Sequence, residues 1–270
     1  MRWQELTSKK FHPTRWIKWK EGIPAFLFLL FVLGTWQIVA ATAHLPLWLL
    51  PTPIQIGKAL WETRQLIWMH TLTTLVETTT GFSLAVVLGL ITAGVMVLSP
   101  LIKRLLYPFL IISQTVPLIA IAPLLILWLG YGLMPKILIV VLVCFFPITI
   151  SLIEGLELTD IDLLNLLRSM GATRWQMFYI VRWPHALPSL FSGLKIAATY
   201  SVMGAVIGEW LGASSGLGVY LTRSSHSFLT DRVFAAIFAI TALSFIYFTL
   251  ISSLARIALP WTHAKDQNGI

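Results

Sequence analysis

Apolar residues run along this chain in blocks of about twenty, too continuous for helices or strands that turn one face to water. Six stretches reach the length that a bilayer-crossing helix needs, about 20 residues: roughly 24–43, 73–98, 108–129, 136–156, 187–210 and 233–258. Between them fall helix-breaking clusters, namely Leu50-Pro51-Thr52-Pro53, Ser99-Pro100, Gly130-Tyr131-Gly132 and Pro184-His185-Ala186-Leu187-Pro188. No stretch alternates apolar and polar as a barrel strand does. The predicted fold is therefore an all-α integral membrane protein of six transmembrane helices. Residues 53–70 are apolar on one side and carry Lys58, Glu62 and Arg64 on the other, which predicts a helix lying along the outer surface.

Composition sharpens this. With 57% hydrophobic and 11% charged residues, the chain has less than half the charge of an ordinary soluble domain, which excludes a water-soluble enzyme and a disordered chain. The net charge of +8 does not make a nucleic-acid binder, because the basic residues are scattered among apolar runs. Their distribution orients the bundle instead. With the N-terminus inside, Arg2, Lys9, Lys10, Arg15, Lys18, Lys20, Lys103, Arg104, Arg168, Arg174, Arg182, Arg256 and Lys265 fall on the cytoplasmic side, against Lys58, Arg64, Lys136, Arg223 and Arg232 outside. Lys195 lies within the fifth span, near enough to its inner end to snorkel. Both termini are thus expected in the cytoplasm. Ala41-Thr42-Ala43 imitates a signal cleavage site, but the apolar run before it is too long for a signal peptide, so an uncleaved first span is expected, with Trp16, Trp19, Trp36 and Trp48 as interfacial anchors. The single cysteine, Cys144, sits inside an apolar run, where it forms no intrachain disulfide and makes a poor metal ligand.

The connection at 157–186 has an internal pattern that its neighbours lack. Acids at Asp160 and Asp162 and a base at Arg168 suit the dipole of a helix ending before Gly171. A second short helix is expected over Ala172–Ile180, finished before Pro184. Helix, glycine turn and helix make a knob of apolar and cationic side chains that suits a groove on another protein, or equally an interfacial hairpin on anionic lipid.

The stretch from Gly171 through Ile180 to Pro184 resembles the signature loop of type I ABC importer permeases, a glycine followed at fixed spacing by an aliphatic residue and proline. Asn165-Leu166-Leu167 stands where that family has Glu-Ala-Ala. The resemblance extends over roughly 70–256 and implies that fold, with cytoplasmic coupling helices seated on an ATPase. Arg168, Ser169, Met170, Gly171, Ala172, Thr173 and Arg174 are then the candidate ATPase contacts. Three regions follow: 1–70 (tail, first span and outer segment), 71–256 (the permease core, with the coupling loop at 157–186) and a cytoplasmic tail at 257–270. Ser113-Gln114-Thr115-Val116-Pro117, Leu129-Gly130-Tyr131-Gly132-Leu133, Phe145-Phe146-Pro147 and Glu209 through Gly218 look like the nitrate, taurine, aliphatic sulfonate and pyrimidine-precursor branch. Within it, 129–136 and 143–147 look most like permeases for thiamine-precursor pyrimidines or riboflavin.

A translocation path has its own candidates. Ser113, Gln114 and Thr115 precede Pro117, and Pro123 follows, so the third span's hydrogen-bond ladder is interrupted at membrane depth, as at many transport sites and also at plain kinks. Glu77 and Glu209 are costly in hydrocarbon. For Glu77 snorkelling to the interface is the simpler expectation and a path role the alternative. Glu209 continues the small-residue row Gly193, Ala197, Ser201 and Ala205, which leaves path lining and close helix packing both open. A second row, Gly81, Ala85, Gly89 and Ala93, reads as packing only.

The chain has no Gly-rich phosphate loop ending in Gly-Lys-Ser or Gly-Lys-Thr, so no ATP or other cofactor is expected on it, nor any metal. The resemblance implies two ATPase subunits that bind the ATP, a second permease copy and an external substrate-binding protein. A membrane-embedded protease or lipid transferase is the alternative from another class, but it needs a paired acid and base. His12, His44, His70, His185, His226 and His263 all fall in tails, loops or span ends, and only His185 near Asp160 or Asp162 forms a conceivable pair. An ATP-independent secondary transporter is the third reading.

Overall fold

A computed structural model describes residues 17–42, 46 and 48–261, with the side chains of 17–22 excepted; the expectations for the two tails and for Trp16 and Trp19 fall outside the described residues or side chains. The described residues form eleven α-helices, one π turn and no strands, consistent with a chain whose backbone polar groups must be satisfied within each segment. Among the described residues five helices are long and apolar enough to cross a membrane, six if one bent helix pair is counted as a single span.

α1 (Ile17–Thr42) is apolar all round, and nearly all of its described side chains are exposed on the surface of this bundle. It meets the rest near its end, where Trp36 packs on Phe234 at 5.4 Å and Gln37 accepts a hydrogen bond from Ile54 N–H. α2 (Pro53–Glu62) starts at a capping box, Thr52 with Gln55, and ends at Thr63, whose hydroxyl bonds the phenol of Tyr220 at 2.9 Å. α3 (Arg64–Leu98) follows at once. The outer segment expected as one helix over 53–70 is therefore broken at Thr63, and the second span begins well before residue 73.

The third apolar run is also corrected. α4 (Pro100–Gln114) and α5 (Leu118–Leu129) meet at 102° in place of one crossing over 108–129. Pro117 has no N–H to continue the ladder and drives Val116 out of helical geometry, so the chain turns there. α3 ends beside Leu156 and α6 (Leu133–Glu157) begins beside Glu77, so the bent pair carries the chain from one end of the bundle to the other.

α6 is the central helix, with Ile139, Val140, Cys144, Ile148 and Ile153 fully buried. α3 packs beside it through Gly81 on Val140 and Gly89 on Ile148, so the two run parallel. α9 (Trp183–Trp210) packs antiparallel through Gly193 on Pro147, Gly204 on Val140 and Gly208 on Lys136. Both small-residue rows expected to pack do so: each of Gly81, Ala85, Gly89, Ala93, Gly193, Ala197, Ser201 and Ala205 is buried. With no water to expel from between them, membrane helices are held together largely by such close backbone approach. α7 (Ile161–Ser169) and α8 (Arg174–Met177) form the projecting connection, and α10 (Leu217–His226) and α11 (Thr230–Ala258) close the bundle.

α8 is not the separate helix ended before Pro184 that its prolines suggested. It passes through a π turn, Phe178–Arg182, straight into α9, giving one helical segment over Arg174–Trp210. A π turn shifts the hydrogen-bond register by one residue, with Trp183 N–H reaching Phe178 O, and so accommodates a proline that would otherwise break the helix.

Candidate functional site

The 157–186 connection folds as a knob built by local rules. Asp160 caps α7 by accepting from Asp162 N–H at 2.9 Å. The helix is closed by Ala172 N–H to Leu167 O and Gly171 N–H to Arg168 O, the paired bonds of a Schellman turn, with Gly171 at φ +84°. Thr173 and Gln176 then form a capping box that starts α8. Leu164, Met177 and Val181 make a small core, against which Leu163, Leu167 and Ala172 pack.

Of the seven residues predicted to touch an ATPase, Ala172 is half-buried in that core, while Arg168, Ser169, Met170, Gly171, Thr173 and Arg174 are exposed. Met170 is 74% exposed, and neither Arg168 nor Arg174 forms an ion pair among the described residues. Trp175 stacks on Tyr179 at 6.0 Å, and both remain exposed beside them. Lys103 pairs with Glu157, tying α4 to α6 beneath the knob, next to a cleft of about 300 Å³ that also meets Arg182 and Thr159.

At the opposite end, Glu77 and Glu209 are 0% and 1% exposed. Interfacial snorkelling, the simpler expectation for Glu77, is thus replaced by pairing: Lys136 Nζ lies 2.6 Å from its Oε1. Glu209 accepts from the Thr74 hydroxyl and from Gly218 N–H, each at 2.6 Å, and its carboxyl group neighbours that of Glu77. Charge and donors together offset part of the desolvation that burying each carboxyl group incurs.

Ser113, Gln114 and Thr115 lie at the α4–α5 bend. Ser113 and Thr115 return their hydroxyls to Leu110 O and Ile112 O, and Gln114 is exposed. None of the three hydrogen-bonds to the carboxylate cluster.

Sequence reasoning missed three members of that cluster. Lys136 was placed in an outer loop, His70 at a span end, and Thr74 was not singled out. The first had a readable signal, because a carboxylate inside an apolar run demands a cation at the same depth, and Lys136 opens another span at that level.

Comparison with known proteins places this architecture. The profile of the family described as binding-protein-dependent transport system inner membrane component matches residues 85–258. The formylaminopyrimidine transport permease protein ThiX of Halalkalibacterium halodurans is 40% identical over 242 residues, 89% of this chain and 96% of that one. The riboflavin transport system permease protein RibX of Chloroflexus aurantiacus is 33% identical, covering 89% and 90%. Among solved structures, an inward-facing conformation of the MetNI methionine ABC transporter superposes with a TM-score of 0.58 at 20% identity, covering 73% of this chain and 96% of that chain. These relatives are transport permeases and not enzymes, which removes the membrane-protease and lipid-transferase reading.

Proposed function

We propose that this chain, which belongs to the family of binding-protein-dependent transport system inner membrane components and is an ABC importer permease for a small solute, carries a thiamine-precursor pyrimidine and is driven through the 157–186 knob. The observation that carries the reading is the knob itself, a capped and internally packed projection whose outer surface leaves Met170, Arg168 and Arg174 unpaired. An isolated surface gains nothing from holding apolar and cationic groups in a fixed array, whereas a groove on a partner does.

In this reading the knob lies in the cytoplasm. Lys103, Arg104, Arg168, Arg174, Arg182 and Arg256 cluster at that end of the bundle, so the positive-inside bias puts both termini there as well. Residues 168–174 contact an ABC ATPase, which binds the ATP; this chain binds none. One set of six crossings encloses half a pathway, so two copies pair, each with its own ATPase, and an external binding protein delivers the solute. Ser113, Gln114 and Thr115, at the α4–α5 bend, line the path where the broken ladder leaves carbonyls available. The pyrimidine assignment is supported by the 40% identity to a formylaminopyrimidine permease over almost the whole chain.

The test is co-expression with the ABC ATPase encoded beside the gene, followed by affinity purification. The parent chain retains the ATPase and Gly171→Pro loses it. Retention by the variant, or no association with the parent, overturns the reading. Titrating the neighbouring binding protein with a formylaminopyrimidine, riboflavin and taurine decides the solute, and a preference for either of the latter two removes the pyrimidine assignment.

A further inference from the structure

Between α9 and α10 the chain crosses the end of the bundle away from the knob as a short strap, Leu211 to Gly216, and α10 begins at Leu217 with a glycine as its N-cap. A glycine offers no side-chain acceptor, so the first amides of α10 need partners from elsewhere. They find them on two other helices. Gly216 N–H donates to His70 Nδ1 at 2.9 Å, Leu217 N–H to Thr74 Oγ1 at 2.9 Å and Gly218 N–H to Glu209 Oε2 at 2.6 Å. The Thr74 hydroxyl in turn donates to Glu209 Oε1. One carboxylate thus serves as the missing cap, placed where the positive end of the helix dipole favours it.

The strap is moulded around that group. At Gly216, φ +125°, a Cβ would overlap the Glu209 carboxylate, and at Gly218 it would lie 2.6 Å from Val206 O. At the strap's other end, a Cβ on Gly212 would overlap the ring of Tyr131, which belongs to the α5–α6 joint. Beneath Glu209, the Glu77–Lys136 pair fastens α3 to α6.

We infer that Glu209 is a positioning residue for solute admission: it holds the 211–216 strap closed across the bundle, and release of that strap is a step of the transport cycle. The inference rests on the permease reading for its direction, since the end opposite the knob is then the end that receives solute.

The test uses the full chain with a Ser215→Cys reporter, in lipid nanodiscs for labelling and, for uptake, in sealed proteoliposomes as the complex with ATPase and binding protein. The native Cys144 is fully buried, with its thiol donating to Ala197 O, so it contributes no background to labelling by a membrane-impermeant maleimide. Glu209→Ala is expected to raise reporter labelling about tenfold or more, the change in open population that losing one charge-assisted hydrogen bond brings. Glu209→Gln, which keeps an acceptor but no charge, falls between. Solute uptake per ATP hydrolysed drops in the same order while ATPase association is unchanged. Thr74→Val, which removes the bond to Leu217 N–H and one of the two bonds to Glu209 while leaving its carboxyl group in place, gives the same comparison if Glu209→Ala is not recovered folded. Unchanged labelling in both variants overturns the inference. So does raised labelling with unchanged uptake per ATP, because the carboxylate is then only a cap. A parent chain that binds no ATPase refutes the permease reading instead, and the labelling order in nanodiscs still judges the strap.

Discussion

Lys136 Nζ lies 2.6 Å from Glu77 Oε1, joining the first turn of α6 to the middle of α3 at a place where the glutamate has no solvent contact. Removing one partner strands a buried charge, so Glu77→Gln and Lys136→Met should each lower stability by about 3–5 kcal/mol. Lys136→Met should be the worse, because it leaves two neighbouring carboxyl groups without a cation. Replacing both members with apolar residues should recover most of the loss. Thermal unfolding of the purified chains, followed by tryptophan fluorescence, gives the ranking.

The Lys103–Glu157 pair is the contrast, with side chains 29% and 49% exposed. Lys103→Met should cost at most about 1 kcal/mol, and that cost should shrink as salt is added. The same melts run at low and high ionic strength check it.

Gly193 faces the backbone of α6 so closely that a Cβ would lie 2.5 Å from Pro147 O, whereas Gly94 has nothing within 4 Å. Gly193→Ala should destabilise by about 1–3 kcal/mol through overpacking. Gly94→Ala should be stabilising by about 0.4–1 kcal/mol through the unfolded chain. Opposite shifts in melting temperature are the expected outcome.

Gly171 has open space around it, so any penalty for replacing it comes from its positive φ alone. Gly171→Asn should keep the ATPase in affinity purification, and Gly171→Val, at a cost of about 1–2 kcal/mol for the left-handed backbone, should weaken it. Equal retention by both would separate the turn from partner binding.

Thr173→Ala removes the acceptor that starts α8 and should cost about 1 kcal/mol locally, while Thr173→Ser keeps it. Faster amide exchange at Gln176 in the alanine variant alone is the readout.

The crossings were legible because hydropathy over about twenty residues depends on no tertiary partner. The break before Pro117 was legible too, since proline acts on its own backbone, but the 102° between α4 and α5 is set by what each half packs against. The start of α3 was hidden because Arg64 to His70 reads as the continuation of an amphipathic surface helix until Gly216, 146 positions away, comes to rest on His70. Distance along the chain hid Lys136 from Glu77 in the same way. At the knob the opposite holds: the helix end at Gly171 is a local signal and was found. The prolines at 184 and 188 misled there, because a π turn absorbs what a plain helix does not.

That π turn makes a single shaft of about 55 Å, counted at 1.5 Å per residue over the 37 from Arg174 to Trp210. Its two extremities bear the exposed face of the knob at one end of the bundle and, at the other, the carboxyl group that accepts from Gly218 N–H. In the proposed cycle a displacement at Arg174 would reach Glu209 along one continuous helical backbone, with the π turn at Phe178–Arg182 as the place where its direction can change.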